Sequence, residues 1–142
     1  MKKTLFLFFS LILLVGCAPK AEQTASSAPR KPKNIIYMIG DGMGLNQVYA
    51  AMTANGGTLN IERCTHTGLA KTYSANSYIT DSAAGGTALA IGSKTNNGMI
   101  GMNADSIAVK SILESAEEAD MATGLIATVR ITHATPASFY AH

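Results

Sequence analysis

Three short motifs hold the residues whose types and spacing could do chemistry. Asp41 is the lone carboxylate in Ile39-Gly40-Asp41-Gly42-Met43-Gly44. Glycines on both sides allow a sharp turn and leave the carboxylate projecting, which suits a metal ligand. Taken alone, Gly-Asp-Gly is better explained as a turn aspartate that accepts hydrogen bonds from its own backbone. No Gly-Lys-Ser/Thr and no full dinucleotide fingerprint accompanies it, which argues against a glycine-rich phosphate loop. The second motif is Thr80-Asp81-Ser82-Ala83-Ala84-Gly85-Gly86-Thr87-Ala88. Here Ser82 is expected at the first position of a helix, among small side chains that leave room for a substrate. Free N–H groups at a helix start attract anions, so a phosphoryl group is stabilised there. A serine hydroxyl is a weak nucleophile until a base or a metal removes its proton. A capped helix packed closely through small residues explains the same segment equally well. In the third motif, His133-Ala134-Thr135-Pro136-Ala137, a Thr135 hydroxyl with His133 behind it suits magnesium, which takes oxygen ligands and keeps several waters. Thr135 by itself is more simply a helix cap.

The elements that must position these residues alternate between strand and helix. Asn34 to Ile39 is a continuous apolar run rich in β-branched residues and ended by Gly40, as expected of a strand buried on both faces. Leu45 to Asn55 is a predicted helix with Val48, Ala51 and Met52 on one side. A strand is expected near Gly68 to Ser74, and a helix capped by Asp81 runs to about Ala90 before the glycines and asparagines of Gly92 to Asn97. Asp105 is expected to cap a third helix carrying Ile107, Ala108, Ile112 and Ala116. Gly124 to Val129 makes a further short strand, and Thr135-Pro136 reads as an N-cap followed by proline at the first helical position. This order predicts an α/β sandwich with a mostly parallel sheet between helices. The three motifs then fall where strands give way to loops or helices, the side on which such sheets bind ligands.

Taken together, Asp41 in its glycine turn, Asp81-Ser82-Ala83-Ala84-Gly85, and His133-Ala134-Thr135-Pro136-Ala137 with Ala141-His142 after it resemble the N-terminal part of the alkaline phosphatases. The resemblance implies an α/β fold and phosphomonoester hydrolysis supported by two zinc ions and one magnesium. It implies that Asp41 ligates one zinc and the magnesium, that Ser82 forms a phosphoenzyme and contacts zinc, and that Thr135 is a magnesium ligand. Some members have aspartate where His133 stands and others histidine, a difference linked to how tightly the third site holds magnesium. A phosphate-clamping arginine and further carboxylates and histidines are expected beyond the position of His142. The chain is therefore expected to be a truncated part of a larger enzyme, inactive alone. A homodimer is compatible with the resemblance. Two other readings stay open: a related sulfatase or phosphodiesterase, and a non-catalytic surface lipoprotein. Ser82 is followed by Ala83-Ala84-Gly85-Gly86 and not by x-Pro-x-Arg, which counts against a sulfatase.

The N-terminus has another purpose. Met1-Lys2-Lys3 precedes an apolar run from Leu5 to Val15, too short for a lasting membrane span of about 20 residues. Leu14-Val15-Gly16-Cys17 resembles the bacterial lipoprotein box, so residues 1–16 are expected to be a signal peptide and Cys17 the acylated residue of a membrane-anchored envelope protein facing the periplasm or cell surface. Residues 17–33 are then a lipidated cysteine with a flexible Ala-, Pro-, Ser- and Lys-rich tether, and 34–142 the N-terminal part of the folded domain. The tether has four basic residues against Glu22, a net of +3, while 34–142 have five against eight acidic ones, a net of −3. The overall charge of +2 thus belongs to signal and tether, and it gives no support to a nucleic-acid partner. With Cys17 assigned to the anchor only Cys64 remains, so no intrachain disulfide is expected.

Overall fold

The computed structural model describes residues 32–142. The expected signal peptide, Cys17 and all of the tether before Pro32 lie outside the described residues. The chain divides into two units, Met1–Tyr37 and Met38–His142, and of the first only residues 32–37 are described.

Helix α1, Leu45–Ala54, starts after Gly44, whose N–H bonds the Gln47 side chain at 3.1 Å. It stops at Asn55, before two glycines with positive φ, Gly56 and Gly57. Val48 and Met52 are half-buried along it, whereas Ala51 is exposed. A single 3-10 turn, Asn60–Arg63, follows, with the Glu62 carboxylate reaching back to the Leu59 N–H at 2.6 Å.

Helix α2, Ser82–Ile91, has the sharpest boundaries. Asp81 caps it through its carboxylate on the Ala84 N–H at 2.8 Å, and Gly92 ends it in the left-handed conformation at φ 75°. Its buried positions are Ala83, Ala84, Gly86, Thr87 and Ala90, and it packs against both α3, Ile112–Glu117, and α4, Ala134–Ala137. Small residues at these positions let helix backbones approach closely. The apolar core of the described residues is correspondingly slight: Ala83, Ala84, Ala90, Ala137 and Phe139.

Three expectations need correction. The segments expected as strands form no β-ladder among the described residues, which contain one isolated antiparallel bridge, Met102 to Ala108. Strand propensity expresses packing on a half-buried pleated surface more than a backbone preference. Ile36 and Met38 are 88% and 87% exposed, so the described residues lay no such surface over these two side chains. Second, Asp105 does not cap α3. The Asp105 and Ile107 N–H groups bond the Asn103 side chain at 3.0 Å each, in a turn where Ser106 has φ 61°. The cap is Ser111, which exchanges bonds with Glu114 in a Ser-x-x-Glu capping box, a stronger start signal than a lone aspartate. Third, α4 begins two residues earlier than expected, at Ala134 and not at Pro136. His133 is its N-cap residue without a side-chain cap bond, so Pro136 falls within the first turn, where its missing N–H costs nothing.

Candidate active site

Asp41 occupies the second position of a tight turn closed by the Met43 N–H on the Gly40 carbonyl at 3.1 Å. Gly42 follows at φ 66°, a conformation that glycine adopts without steric cost and that sets the carboxylate at the turn's edge. Ser82 is the first residue of α2 and is exposed. Thr135 lies in the first turn of α4.

These residues, 41 and 94 positions from Asp41, meet on its carboxylate. The Thr135 hydroxyl donates to Oδ2 at 2.6 Å, and the Ser82 hydroxyl donates to Oδ1 at 3.3 Å. The first is a short, charge-assisted bond and the second is long for two oxygens. Thr135 is thus held firmly and Ser82 loosely, which leaves the serine oxygen able to turn toward a ligand. The first intrahelical bond of α2 runs from the Gly85 N–H to the Asp81 carbonyl, and Asp81 also takes the Ala84 N–H. The Ser82 and Ala83 N–H groups precede both bonds, at the end of the helix dipole that favours an anion.

Asp81 uses its second oxygen on the Gly98 N–H at 2.7 Å. Asn97 holds the same entry: its side-chain oxygen accepts the Asp81 N–H at 3.2 Å and its amide donates to the Ile79 carbonyl at 2.9 Å. In the sequence Asn97 marks only a loop, and no local signal there distinguishes Thr87 or Ser138. All three make bonds that depend on distant partners, and an Asn-Gly pair marks a turn without saying what it ties together. On the flank of α4, His142 lies between two acceptors, the Gly101 carbonyl at 2.9 Å from Nδ1 and a Glu114 oxygen at 3.4 Å from Nε2. The Gly101 carbonyl, and then Glu114, raise the His142 pKa, since the imidazolium can donate from both nitrogens. Glu114 is lowered, chiefly by the Ser111 backbone N–H and hydroxyl and then by His142.

Of the residues singled out for the site, the structure therefore brings Asp41, Ser82 and Thr135 together. His133 is exposed two residues before Thr135, without a cap bond of its own. The meeting oxygens are one carboxylate and two hydroxyls, a hard donor set that fits magnesium. Zinc takes histidine, cysteine and carboxylate ligands, and among the described residues no group of three or more His, Cys, Asp or Glu could hold a metal ion.

The alkaline phosphatase family model matches residues 32–142. The chain belongs to the alkaline phosphatase family. It is 42% identical over 147 residues to alkaline phosphatase 4 of Bacillus subtilis (strain 168), covering 92% of this chain and 32% of that relative. It is 40% identical over 133 residues to alkaline phosphatase 4 of Drosophila melanogaster, covering 82% of this chain and 22% of the fly protein. Among solved structures, the alkaline phosphatase of the Antarctic bacterium TAB5 superposes with a TM-score of 0.69 at 50% identity, over 72% of this chain and 30% of that one. Variants of the TAB5 enzyme with one histidine replaced by glutamate or aspartate were solved with magnesium bound in their M3 site. The fold is accordingly the alkaline-phosphatase-like α/β fold, of which this chain is a segment. It spans about a third or less of the length of these relatives.

Proposed function

We propose that the complete protein hydrolyses phosphate monoesters through a phosphoserine on Ser82. One observation carries the reading: a single carboxylate, Asp41, accepts hydrogen bonds from both Ser82 and Thr135 at the start of two helices. The Ser82 oxygen attacks phosphorus, a Ser–O–P bond forms, the ester P–O bond breaks, and the leaving oxygen departs as an alcohol with the proton that Ser82 gives up. Water then attacks the phosphoserine, its P–O bond to Ser82 breaks, and phosphate leaves as the serine regains a proton. The Ser82 and Ala83 amides orient the phosphoryl oxygens at the α2 N-terminus. Ala83 and Ala84 keep the approach clear of bulk. We assign two zinc ions and one magnesium to the complete protein: Asp41 shared between one zinc and the magnesium, Ser82 toward zinc, Thr135 toward magnesium, and His133 behind it. When bound, these ions supply Lewis-acid charge stabilisation and lower the pKa of the serine hydroxyl.

The experiment is Ser82→Ala in the complete protein. Alanine is a good helix residue and Ser82 is not the cap, so the variant should fold, with a stability change within about 1 kcal/mol. Acid-quenched wild type incubated with labelled phosphate should retain label on Ser82, and the variant should retain none. Equal labelling of both would remove Ser82 from its role.

For the N-terminus we propose a lipid anchor on Cys17 that holds the protein at the cell envelope. The Leu14-Val15-Gly16-Cys17 sequence supports it. Cys17→Ser should abolish incorporation of labelled fatty acid, and equal incorporation by both forms would rule out Cys17 as the acylation site.

A further inference from the structure

Ser82 and Thr135 reach one carboxylate from two separate helices, so their spacing is decided where those helices touch. The point of contact is Gly86. A Cβ there would lie 3.0 Å from the Ser138 hydroxyl and 3.2 Å from the Thr135 Cα, which places the α2 backbone directly against the turn bearing Thr135. Beside this contact two hydroxyls are sealed from solvent, Thr87 at 0% and Ser138 at 1% exposure. Thr87 Oγ accepts the Gly101 N–H at 3.1 Å and lies 3.0 Å from the Met99 carbonyl and 3.2 Å from Ser138 Oγ. Ser138 Oγ lies 2.8 Å from the Ala134 carbonyl, in the residue before Thr135, and 3.4 Å from the Ala83 carbonyl, in the residue after Ser82.

Each hydroxyl has one proton to give. The pair therefore shares its donors among carbonyls on both helices and in the Met99 to Gly101 loop. Apolar groups of the same shape would fill this space but leave the Gly101 N–H without its acceptor, which costs stability. What hydroxyls add over methyl groups is direction: they hold Ala83 and Ala134, the immediate neighbours of Ser82 and Thr135, in one register.

We infer that Thr87 and Ser138 are positioning residues that set the separation of the Ser82 and Thr135 hydroxyls on Asp41, and with it the affinity of the Asp41 and Thr135 oxygens for magnesium. The inference rests on the proposed function for its effect on turnover, but the spacing can be read without turnover.

The test uses the complete protein, stripped of metal and titrated calorimetrically with magnesium alone, with phosphoserine formation from labelled phosphate measured separately. Partners that orient ligands typically change metal affinity about 10–100-fold, and a loss of that size is expected for Ser138→Ala and Thr87→Val. Thr87→Ser restores the hydroxyl and should rescue most of the affinity. Gly86→Ala leaves both hydroxyls in place but wedges the helices apart, and should weaken magnesium binding as well. A purely structural role would lower the melting temperature of these variants and leave magnesium affinity unchanged, which overturns the inference. If Thr87→Val does not fold, Ser138→Ala decides, since it removes one oxygen and keeps the Cβ. A wild type that takes up no magnesium also overturns it. A wild type that forms no phosphoserine but loses magnesium affinity on Ser138→Ala overturns the phosphatase reading and leaves the spacing role standing.

Discussion

Asn in place of Asp41 keeps the shape of the side chain and removes its charge. Its oxygen can still accept the Thr135 hydroxyl and its amide can donate to Ser82, the two groups that Asp41 now accepts from. Asp41→Asn in the complete protein should therefore melt close to wild type. It should also bind magnesium at least about tenfold more weakly, because a hard cation favours a carboxylate over an amide oxygen. Magnesium titration beside thermal unfolding checks this, and an unchanged affinity would mean that Asp41 serves only the turn. The contrast between Thr135 at 2.6 Å and Ser82 at 3.3 Å bears on Ser82→Ala as well: its long bond can be lost with little structural cost, so a dead alanine variant that is well folded reports chemistry.

At the scale of elements, the start of α2 depends on Asp81 more than a simple cap does. Its two oxygens accept the Ala84 and Gly98 N–H groups, binding the helix to the Asn97-Gly98 loop. Asp81→Ala should cost about 1–2 kcal/mol, the range for a lost N-cap. Hydrogen exchange at the Ala84 and Gly98 amides should accelerate together, and acceleration at Ala84 alone would show that the loop does not depend on the cap. The link between α3 and the end of the chain carries a pH signature. His142 is raised above its ordinary 6.5, so its contribution is complete below that value and is lost as pH rises through the folded-state pKa. Glu114 is lowered from its ordinary 4.5, so its contribution is complete above that value and is lost as pH falls through the folded-state pKa. Their mutual bond is favoured between about pH 4.5 and 6.5. The stability difference between wild type and Glu114→Gln should contain a part that His142→Ala removes, largest in that window and gone at alkaline pH. Matched denaturation series from pH 4 to 9 would measure it. Because both side chains are partly open to solvent, salt should reduce this part.

For the molecule as a whole, the buried core of the described residues is made of alanines, glycines, hydroxyl residues, Pro136 and Phe139, while many large apolar side chains stay exposed, Leu69 and Ile126 completely so. Residues 34–142 produced alone should bind a hydrophobic dye and show no serine-dependent hydrolysis of a chromogenic phosphate ester with zinc and magnesium added. Turnover that Ser82→Ala abolishes would show that these residues suffice. The local structure around Asp41 and Ser82 could be read from the sequence because it is written in local signals: a glycine turn around Asp41, an aspartate cap before Ser82, and small residues along one helix. The same locality explains the limits of the β-strand and capping expectations. Apolar β-branched runs state a preference for a covered sheet, and whether Asn34 to Ile39 forms a ladder depends on what lies beside it. Asp105 is the expected cap, whereas the local Ser111-x-x-Glu114 pattern marks the start of α3 and the Asn103 side chain takes the amides beside Asp105 into a turn. The sequence by itself determined the chemistry available and the family that owns it. The tertiary structure alone decided that Ser82 and Thr135 share one carboxylate and that Thr87 meets Ser138. Those contacts join residues 41 to 94 positions apart, and no local periodicity encodes a hydrogen bond across that distance.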